Sequence, residues 1–241
     1  MKQLDQALGM GLRGAATEAP RRTALLMGAG GRLGERMLDQ LLGQTAYDKV
    51  FAWSRQPISG TVLKLVCVEA PDALQADDVY CVVGSADDHL RRTEVYHTVS
   101  EDAVLDLARR VLANGAQRFI LITPISAFSQ PAALHNKLQN VAELELAALP
   151  FETLLVVRPS TWGMGRKEEG WFARMVRGAI DQITHTMVGK RNMPMTAQRV
   201  AEVTVAQAVA AGRGLTILEP DQLLADAVAL ANEEKQEARA S

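Results

Sequence analysis

The chain is poor in the residues that mark secreted, metal-binding and nucleic-acid-binding proteins. It has two cysteines and four histidines, and the histidines do not show the spacing of metal ligands. Aromatic residues make up 5% of the chain and the net charge is −2, which gives neither a base-stacking surface nor a basic patch for nucleic acid or an anionic membrane. A run of about 18 apolar residues, which a transmembrane helix needs, is absent as well. These absences predict a globular protein without a metal site.

Two further absences concern the compartment. Residues 1–20 lack the apolar core of a secretion signal and carry charged side chains, so we expect a loose arm or a short helix there. Cys67 and Cys81 fall in apolar runs, where a cysteine behaves as a small buried hydrophobe in a reducing compartment. The sequence therefore predicts a cytoplasmic protein with unpaired cysteines.

The most informative segment that is present is TALLMGAGGRLG, residues 23–34. An apolar run is followed by four glycines in seven positions, and then by apolar residues at helical spacing, namely Leu33, Met37, Leu38 and Leu41. This order predicts a strand, a tight turn and a helix, in which glycines let the backbone approach a pyrophosphate on the helix N-terminus. The candidate pyrophosphate-binding residues are Gly28, Gly30, Gly31, Arg32, Leu33 and Gly34.

The spacing of these glycines selects one motif over another. The pattern G-x-G-x-x-G would need glycine at position 33, where the chain has leucine, whereas Gly28, Gly31 and Gly34 fit G-x-x-G-x-x-G. The second spacing is typical of extended and atypical short-chain dehydrogenases. The alternative is an ordinary glycine-rich turn, which the strand-to-helix context disfavours.

The end of the next strand bears on the choice of dinucleotide. NAD-binding folds place a carboxylate about 20 residues after the glycines, where it binds the ribose 2′-hydroxyl. Here that place holds Ser54 and Arg55, and a guanidinium suits a 2′-phosphate. Arg32 could flank the same phosphate, so we expect NADP(H) rather than NAD(H). The alternative for Arg55 is a solvated arginine at a strand end.

The remaining sequence alternates strands and helices. Near-continuous apolar runs predict six buried parallel strands, at 23–28, 49–54, 62–68, 78–83, 118–123 and 153–158. Helical spacing predicts helices over 101–114 and 132–148. The fold class is therefore α/β: a doubly wound Rossmann fold with a mostly parallel sheet in the order 3-2-1-4-5-6. We expect one domain over 21–241, with a small substrate-side segment from about 159 that completes the pocket.

Ligands of such sheets bind at the carboxyl ends of the strands. The ends of strands four, five and six place Gly84, Thr123 and Pro159 among the candidate cofactor contacts. Gly84 would allow a close approach to the adenosine ribose or the pyrophosphate, and the alternative is a simple turn glycine.

The chain resembles the atypical short-chain dehydrogenase/reductases, in the NAD(P)-binding group that is NmrA-like and Tat-interacting-protein-like. The resemblance extends from Thr23 to about Val209 and includes GAGGRLG (28–34), Ser54-Arg55, VVG (82–84), NGAQRFILIT (114–123), HNKLQNVAELEL (135–146), LLVVRPSTWGMGR (154–166) and NMPMTAQRVA (192–201). It implies a Rossmann fold, a nicotinamide dinucleotide and oxidoreductase chemistry.

The chain departs from the family at the catalytic motif. Catalytic members carry Tyr-x-x-x-Lys on the helix after strand five, where the i, i+4 spacing puts both groups on one face. Lys137 is present, but Ala133 stands at the tyrosine position. The resemblance implies that Lys137 binds the nicotinamide ribose, and the alternative is a solvated lysine. His135 and Ser126 are weak candidates for a substitute proton donor.

Two functions remain open at this point. The first is an NADP(H)-binding redox sensor, regulator or assembly factor, with a protein partner, that lacks ordinary carbonyl reduction. The second is an NADPH-dependent oxidoreductase acting on a quinone, a flavin or another small molecule with a non-standard proton donor. The segment 161–172, TWGMGRKEEGWF, could line an apolar or aromatic substrate pocket, or it could simply cap the core.

Overall fold

A computed structural model describes residues 21–55, 63–71, 74–84, 94–123, 141–159 and 195–240. Within these residues, seven strands pair side by side in parallel. They are β1 (Arg22–Met27), β2 (Tyr47–Trp53), β3 (Leu65–Val68), β4 (Asp78–Val82), β5 (Arg118–Ile122), β6 (Thr153–Val157) and β7 (Gly214–Leu218). The helices are α1 (Arg32–Gly43), α2 (Val104–Ala113, after a 3₁₀ turn at Glu101–Ala103), α3 (Val141–Ala147), α4 (Ala197–Ala210) and α5 (Pro220–Ala240).

The strand order is β3-β2-β1-β4-β5-β6-β7, which confirms the doubly wound α/β fold. The first six strands are those expected from the sequence, with boundaries that differ by up to three residues. The seventh strand was not predicted. Its first three residues are exposed, so it lacks the continuous apolar run that identifies a strand covered on both faces.

The two faces of the sheet carry separate cores, and β1 shows why. Successive side chains of a strand point to opposite faces. Ala24 and Leu26 pack with α1, α4 and α5, whereas Leu25 and Met27 pack with α2 and α3. All four side chains are buried, which explains the unbroken apolar run in the sequence.

The amino ends of the strands meet at a buried carboxylate. Asp78 is fully buried and pairs with Arg22 (3.1 Å) and Arg118 (2.8 Å). The Tyr47 hydroxyl donates to Asp78 Oδ2 at 2.6 Å. Burial raises the pKa of Asp78, while the Tyr47 hydrogen bond and the two guanidinium groups act in the opposite direction. This network joins the amino ends of β1, β2, β4 and β5. The candidate ligand site lies at the opposite, carboxyl ends of the strands.

Candidate dinucleotide site

The turn between β1 and α1 requires glycine at two positions for different reasons. Gly28 has φ of +91°, and a Cβ there would lie 2.1 Å from the Val82 carbonyl oxygen. Gly34, in the first turn of α1, has an ordinary φ, but its Cβ would lie 2.0 Å from the Gly28 carbonyl oxygen. The first glycine therefore permits a left-handed turn against β4, and the second lets α1 pack directly on that turn.

The N-terminus of α1 faces the carboxyl edge of the sheet. Gly31 is the N-cap residue, in extended conformation with φ −87° and ψ 170°. The Glu35 amide donates to Gly31 O at 2.9 Å, so the amides of Leu33 and Gly34 before it have no intrahelical acceptor. Amides of this kind, together with the positive end of the helix dipole, are suited to a phosphate group.

The carboxyl end of β2 presents one buried and one exposed side chain. Ser54 is fully buried, and its amide donates to Val68 O at 2.8 Å. Arg55 is exposed, while Arg32, on the glycine turn, is half-buried. Of the two residues predicted from the end of this strand, Arg55 is thus the one that is exposed to solvent.

A segment that the sequence analysis did not single out, residues 94–100, crosses the carboxyl ends of β2, β1 and β4. Tyr96 forms an antiparallel bridge with Ser54, and Val99 forms a parallel bridge with Val83. Between these bridges, the Gly30 amide donates to His97 O at 3.2 Å. No local sequence pattern signals this placement, because the contacts join residues far apart in the chain.

An aromatic stack fastens the same segment to the end of β2. The His97 and Trp53 rings are stacked, with centroids 4.2 Å apart and planes at 21°. The indole nitrogen of Trp53 donates to Glu69 O at 2.9 Å, which holds the indole in place. Burial and the charge of Arg55 lower the pKa of His97, which favours the neutral imidazole.

The other predicted cofactor contacts, Gly84, Thr123 and Pro159, lie just after the carboxyl ends of β4, β5 and β6. The Gly84 amide donates to Val99 O at 3.0 Å, and a Cβ at Gly84 would be in ordinary contact with Thr98 at 3.8 Å. This position therefore does not itself require glycine. The Thr123 amide donates to Val157 O at 3.0 Å, and Pro159 is buried.

Arg158, which precedes that proline, is a buried cation at the carboxyl end of β6. It is 1% exposed and pairs with Glu143 of α3 and with Glu219 just before α5, each at 2.5 Å. A buried guanidinium needs such partners. Arg158 therefore fixes α3 and the start of α5 against β6.

Several predicted features lie outside the described residues. They are the N-terminal arm, the segment 161–172, and Ser126, Ala133, His135 and Lys137.

Cys67 and Cys81 are described and unpaired, and burial raises the pKa of Cys81 to about 12. No helix in the described ranges is long and apolar enough to cross a membrane. The same ranges contain no group of three or more side chains suited to holding a metal ion.

Comparisons with known proteins place this fold in context. Protein HTATIP2 of Rattus norvegicus is 26% identical over 177 residues, which cover 66% of this chain and 72% of that protein. The mitochondrial Protein FMP52 of Eremothecium gossypii is 24% identical over 153 residues, which cover 60% and 68%. A solved structure, the Bordetella bronchiseptica enzyme WbmH in complex with NAD⁺, has a TM-score of 0.49 and 15% identity, covering 82% of this chain and 75% of that chain. No family model matches the chain.

The parallel sheet with its glycine turn after the first strand defines a Rossmann-type fold. Together with the similarity to HTATIP2 and FMP52, it supports the resemblance to the atypical short-chain dehydrogenase/reductase superfamily. The resemblance noted from the sequence is thereby confirmed.

Proposed function

We propose that this chain binds NADP(H) and acts as a redox sensor, regulator or assembly factor rather than as an ordinary carbonyl reductase. The observation that supports cofactor binding most directly is the glycine turn. Its two sterically required glycines bring α1 close to β1 and β4, with the helix N-terminus at the switch point between them. Open α/β sheets bind their ligands at that place.

The preference for NADP(H) rests on the end of β2. The exposed Arg55 stands where NAD-binding folds have a carboxylate, and a guanidinium binds a phosphate through charge-assisted, bidentate hydrogen bonds. Arg32 on the glycine turn supplies a second positive charge.

Arg55→Ala is expected to weaken NADP⁺ binding about tenfold or more while changing NAD⁺ binding little, because only NADP⁺ carries the 2′-phosphate. Isothermal titration calorimetry with both cofactors measures the difference. Arg109→Ala is the matched control, since Arg109 lies on α2 and is also exposed. Equal losses for the two cofactors would show that Arg55 does not discriminate between them.

The proposed lack of ordinary carbonyl reduction is supported by the positions of the chain's three tyrosines. Tyr47 and Tyr80 lie at the amino edge of the sheet, with their hydroxyl groups 2.7 Å apart, and burial raises the pKa of each. Tyr96 is buried, with its hydroxyl 4.0 Å from Cys67 Sγ. None of the three follows β5 in the sequence, where catalytic members carry their tyrosine, and Ala133 cannot supply the proton that a developing alkoxide needs.

Wild-type protein with NADPH is therefore expected to show no reduction of simple aldehydes and ketones. The measurement is NADPH oxidation at 340 nm over a substrate panel, with binding of NADPH verified in the same sample. Lys137→Ala should weaken cofactor binding without any activity to lose. On the helix that the sequence predicts over 132–148, Ala133→Tyr would place a phenol one turn from Lys137, and traces of activity in that variant would support the loss of the acid. Robust ketone reduction by the wild type that survives His135→Ala and Ser126→Ala would contradict the proposal.

The alternative, an oxidoreductase acting on a quinone or flavin, is separated from the regulator by the same assay. NADPH oxidation with a quinone or flavin acceptor would favour the enzyme, and binding without turnover would favour the regulator. The compartment stays a prediction: unpaired cysteines led to the expectation of a cytoplasmic protein, whereas the relative FMP52 is named as mitochondrial.

A further inference from the structure

We infer that His97 is a second recognition group for the 2′-phosphate of NADP(H), and that its protonation strengthens the preference for NADP(H) over NAD(H) as the pH falls. The inference rests on the proposed function and deepens it, because it names a residue and a proton that act beside Arg55. Three observations carry it: the fixed position of the segment 94–100, the placement of His97 next to Arg55, and the state of the imidazole ring.

The segment 94–100 is a fixed wall beside the end of β2. Tyr96 and Val99 are 7% and 1% exposed and belong to the cores on opposite faces of the sheet. The wall is also joined to the glycine turn, since the Gly30 amide donates to His97 O at 3.2 Å. A side chain that the wall carries is therefore held in position before a ligand arrives, which lowers the entropic cost of binding.

His97 and Arg55 lie on the same side of this wall. The antiparallel bridge between Ser54 and Tyr96 joins the wall to the end of β2. Side chains alternate along a strand, so Trp53 and Arg55 leave the opposite face from Ser54, and the stack of His97 on Trp53 shows that the imidazole shares that face. His97 is thus a diagonal neighbour of Arg55 across the pair, within reach of a long side chain.

The imidazole of His97 is held in place without being used up. One face of the ring stacks on Trp53, with centroids 4.2 Å apart, and the indole is itself fixed by its hydrogen bond to Glu69 O at 2.9 Å. The side chain of His97 is half-buried, and its two ring nitrogens form no hydrogen bond with any described residue. These nitrogens can therefore donate to an anion at the end of β2, where this fold recognises the 2′ position of the adenosine ribose.

The charges around His97 make its protonation depend on a ligand. The charged side chains of the neighbouring elements are Arg55 at the end of β2, Arg32 on the glycine turn, Glu69 after β3 and Glu94 in the wall itself. Burial and the field of Arg55 lower the pKa of His97 in the free protein. A bound 2′-phosphate would act in the opposite direction, because a nearby anion favours the charged imidazolium.

Binding of NADP⁺ should therefore take up a proton at His97. The added affinity is fully present below the pKa of His97 in the free protein and is lost above its pKa in the complex. The affinity for NADP⁺ relative to NAD⁺ should thus rise as the pH falls from about 8 to about 6. NAD⁺ lacks the 2′-phosphate and should show no such gain.

His97→Phe tests the inference, because phenylalanine keeps an aromatic ring against Trp53 but has no proton to gain. Calorimetry at about pH 8 and about pH 6 gives the ratio of NADP⁺ to NAD⁺ affinity for each protein. We expect this ratio to rise about tenfold more in the wild type than in the variant. The phosphate itself titrates near pH 6, but it does so equally for both proteins. Titration of the wild type in two buffers of different ionisation enthalpy measures the proton taken up.

His97→Asn separates charge from hydrogen bonding, because asparagine donates a hydrogen bond but stays neutral. It should resemble His97→Phe in its pH dependence, and it serves as the test variant if His97→Phe does not fold. Binding of NAD⁺ by each variant shows that the glycine turn is intact. An affinity ratio that changes with pH equally in the wild type and in both variants would overturn the inference.

The same measurements separate this inference from the proposed function. If Arg55→Ala loses the preference for NADP⁺ while the His97 variants keep it with the pH dependence of the wild type, the role of His97 is wrong and the cofactor assignment stands. If the wild type binds none of NADP⁺, NADPH, NAD⁺ and NADH at either pH, both are wrong. A loss of NADP⁺ affinity in the His97 variants that is confined to the lower pH would support both.

Discussion

Gly34→Ala is expected to lower the free energy of unfolding by about 3 kcal/mol or more, because the added methyl group has nowhere to go. Its Cβ would lie 2.0 Å from Gly28 O and 2.8 Å from Ala29 Cα. Both obstacles are backbone atoms, so no rotamer change relieves the overlap. Helix α1 would have to move away from the turn, which would also pull its N-terminal amides out of place. Urea denaturation measures the first effect, and cofactor titration measures the second.

Gly43→Ala is the matched control for this prediction. Gly43 is the last residue of the same helix and is exposed, and its Cβ would have no atom within 4 Å other than those of the adjoining residues and the helix's own backbone. Alanine there should be neutral or should stabilise the protein by up to about 1 kcal/mol, through helix propensity. Similar stabilities for the two variants would mean that α1 does not pack on the turn as described.

Gly31→Asp is expected to lower dinucleotide affinity by about a thousandfold while leaving the protein folded. Gly31 is the N-cap of α1 in an extended conformation, and aspartate is a favoured N-cap residue. The same carboxylate would face the phosphates on the helix N-terminus, and two like charges about 4 Å apart repel by about 4 kcal/mol at an effective dielectric constant of about 20. Binding of NADP⁺ followed by calorimetry gives the loss, and thermal unfolding shows whether the fold is kept.

Gly31→Asn separates charge from size in this experiment. Asparagine has nearly the shape of aspartate and is an equally good N-cap, but it carries no charge. We expect a much smaller loss of affinity than for aspartate. If the two variants lose affinity equally, the effect is steric. If a folded Gly31→Asp protein binds NADP⁺ normally, the glycine turn is not the phosphate site.

The fold could be predicted from the sequence because its signals are local. An unbroken apolar run such as Leu25–Met27 identifies a strand covered on both faces, and the helical spacing of Met37, Leu38 and Leu41 identifies the helix that covers one of them. With a glycine turn between the two and strands alternating with helices, the expected strand order is that of the doubly wound dinucleotide-binding fold. The structure confirms that order.

The edge strand β7 could not be predicted in the same way. Leu215 is 46% exposed, and half-exposed residues do not show the apolar continuity of central strands. The strand forms because its backbone pairs in parallel with β6, from Thr153 opposite Gly214 to Val157 opposite Leu218. Its stability is therefore a property of the neighbouring strand as much as of its own residues.

The candidate site likewise has features that the sequence predicts and others that only the folded structure creates. The sequence by itself determined the chemistry at the end of each strand: the glycines of the turn, Arg55 in place of a carboxylate, and alanine at position 133. Only the tertiary structure decided which backbone groups remain available to a ligand. The Gly30 amide is joined to His97 O, and the end of β2 is paired with the 94–100 segment. These are hydrogen bonds between groups that every residue carries, so residue type does not encode them, and they exist only once the sheet has brought the carboxyl ends of its strands together.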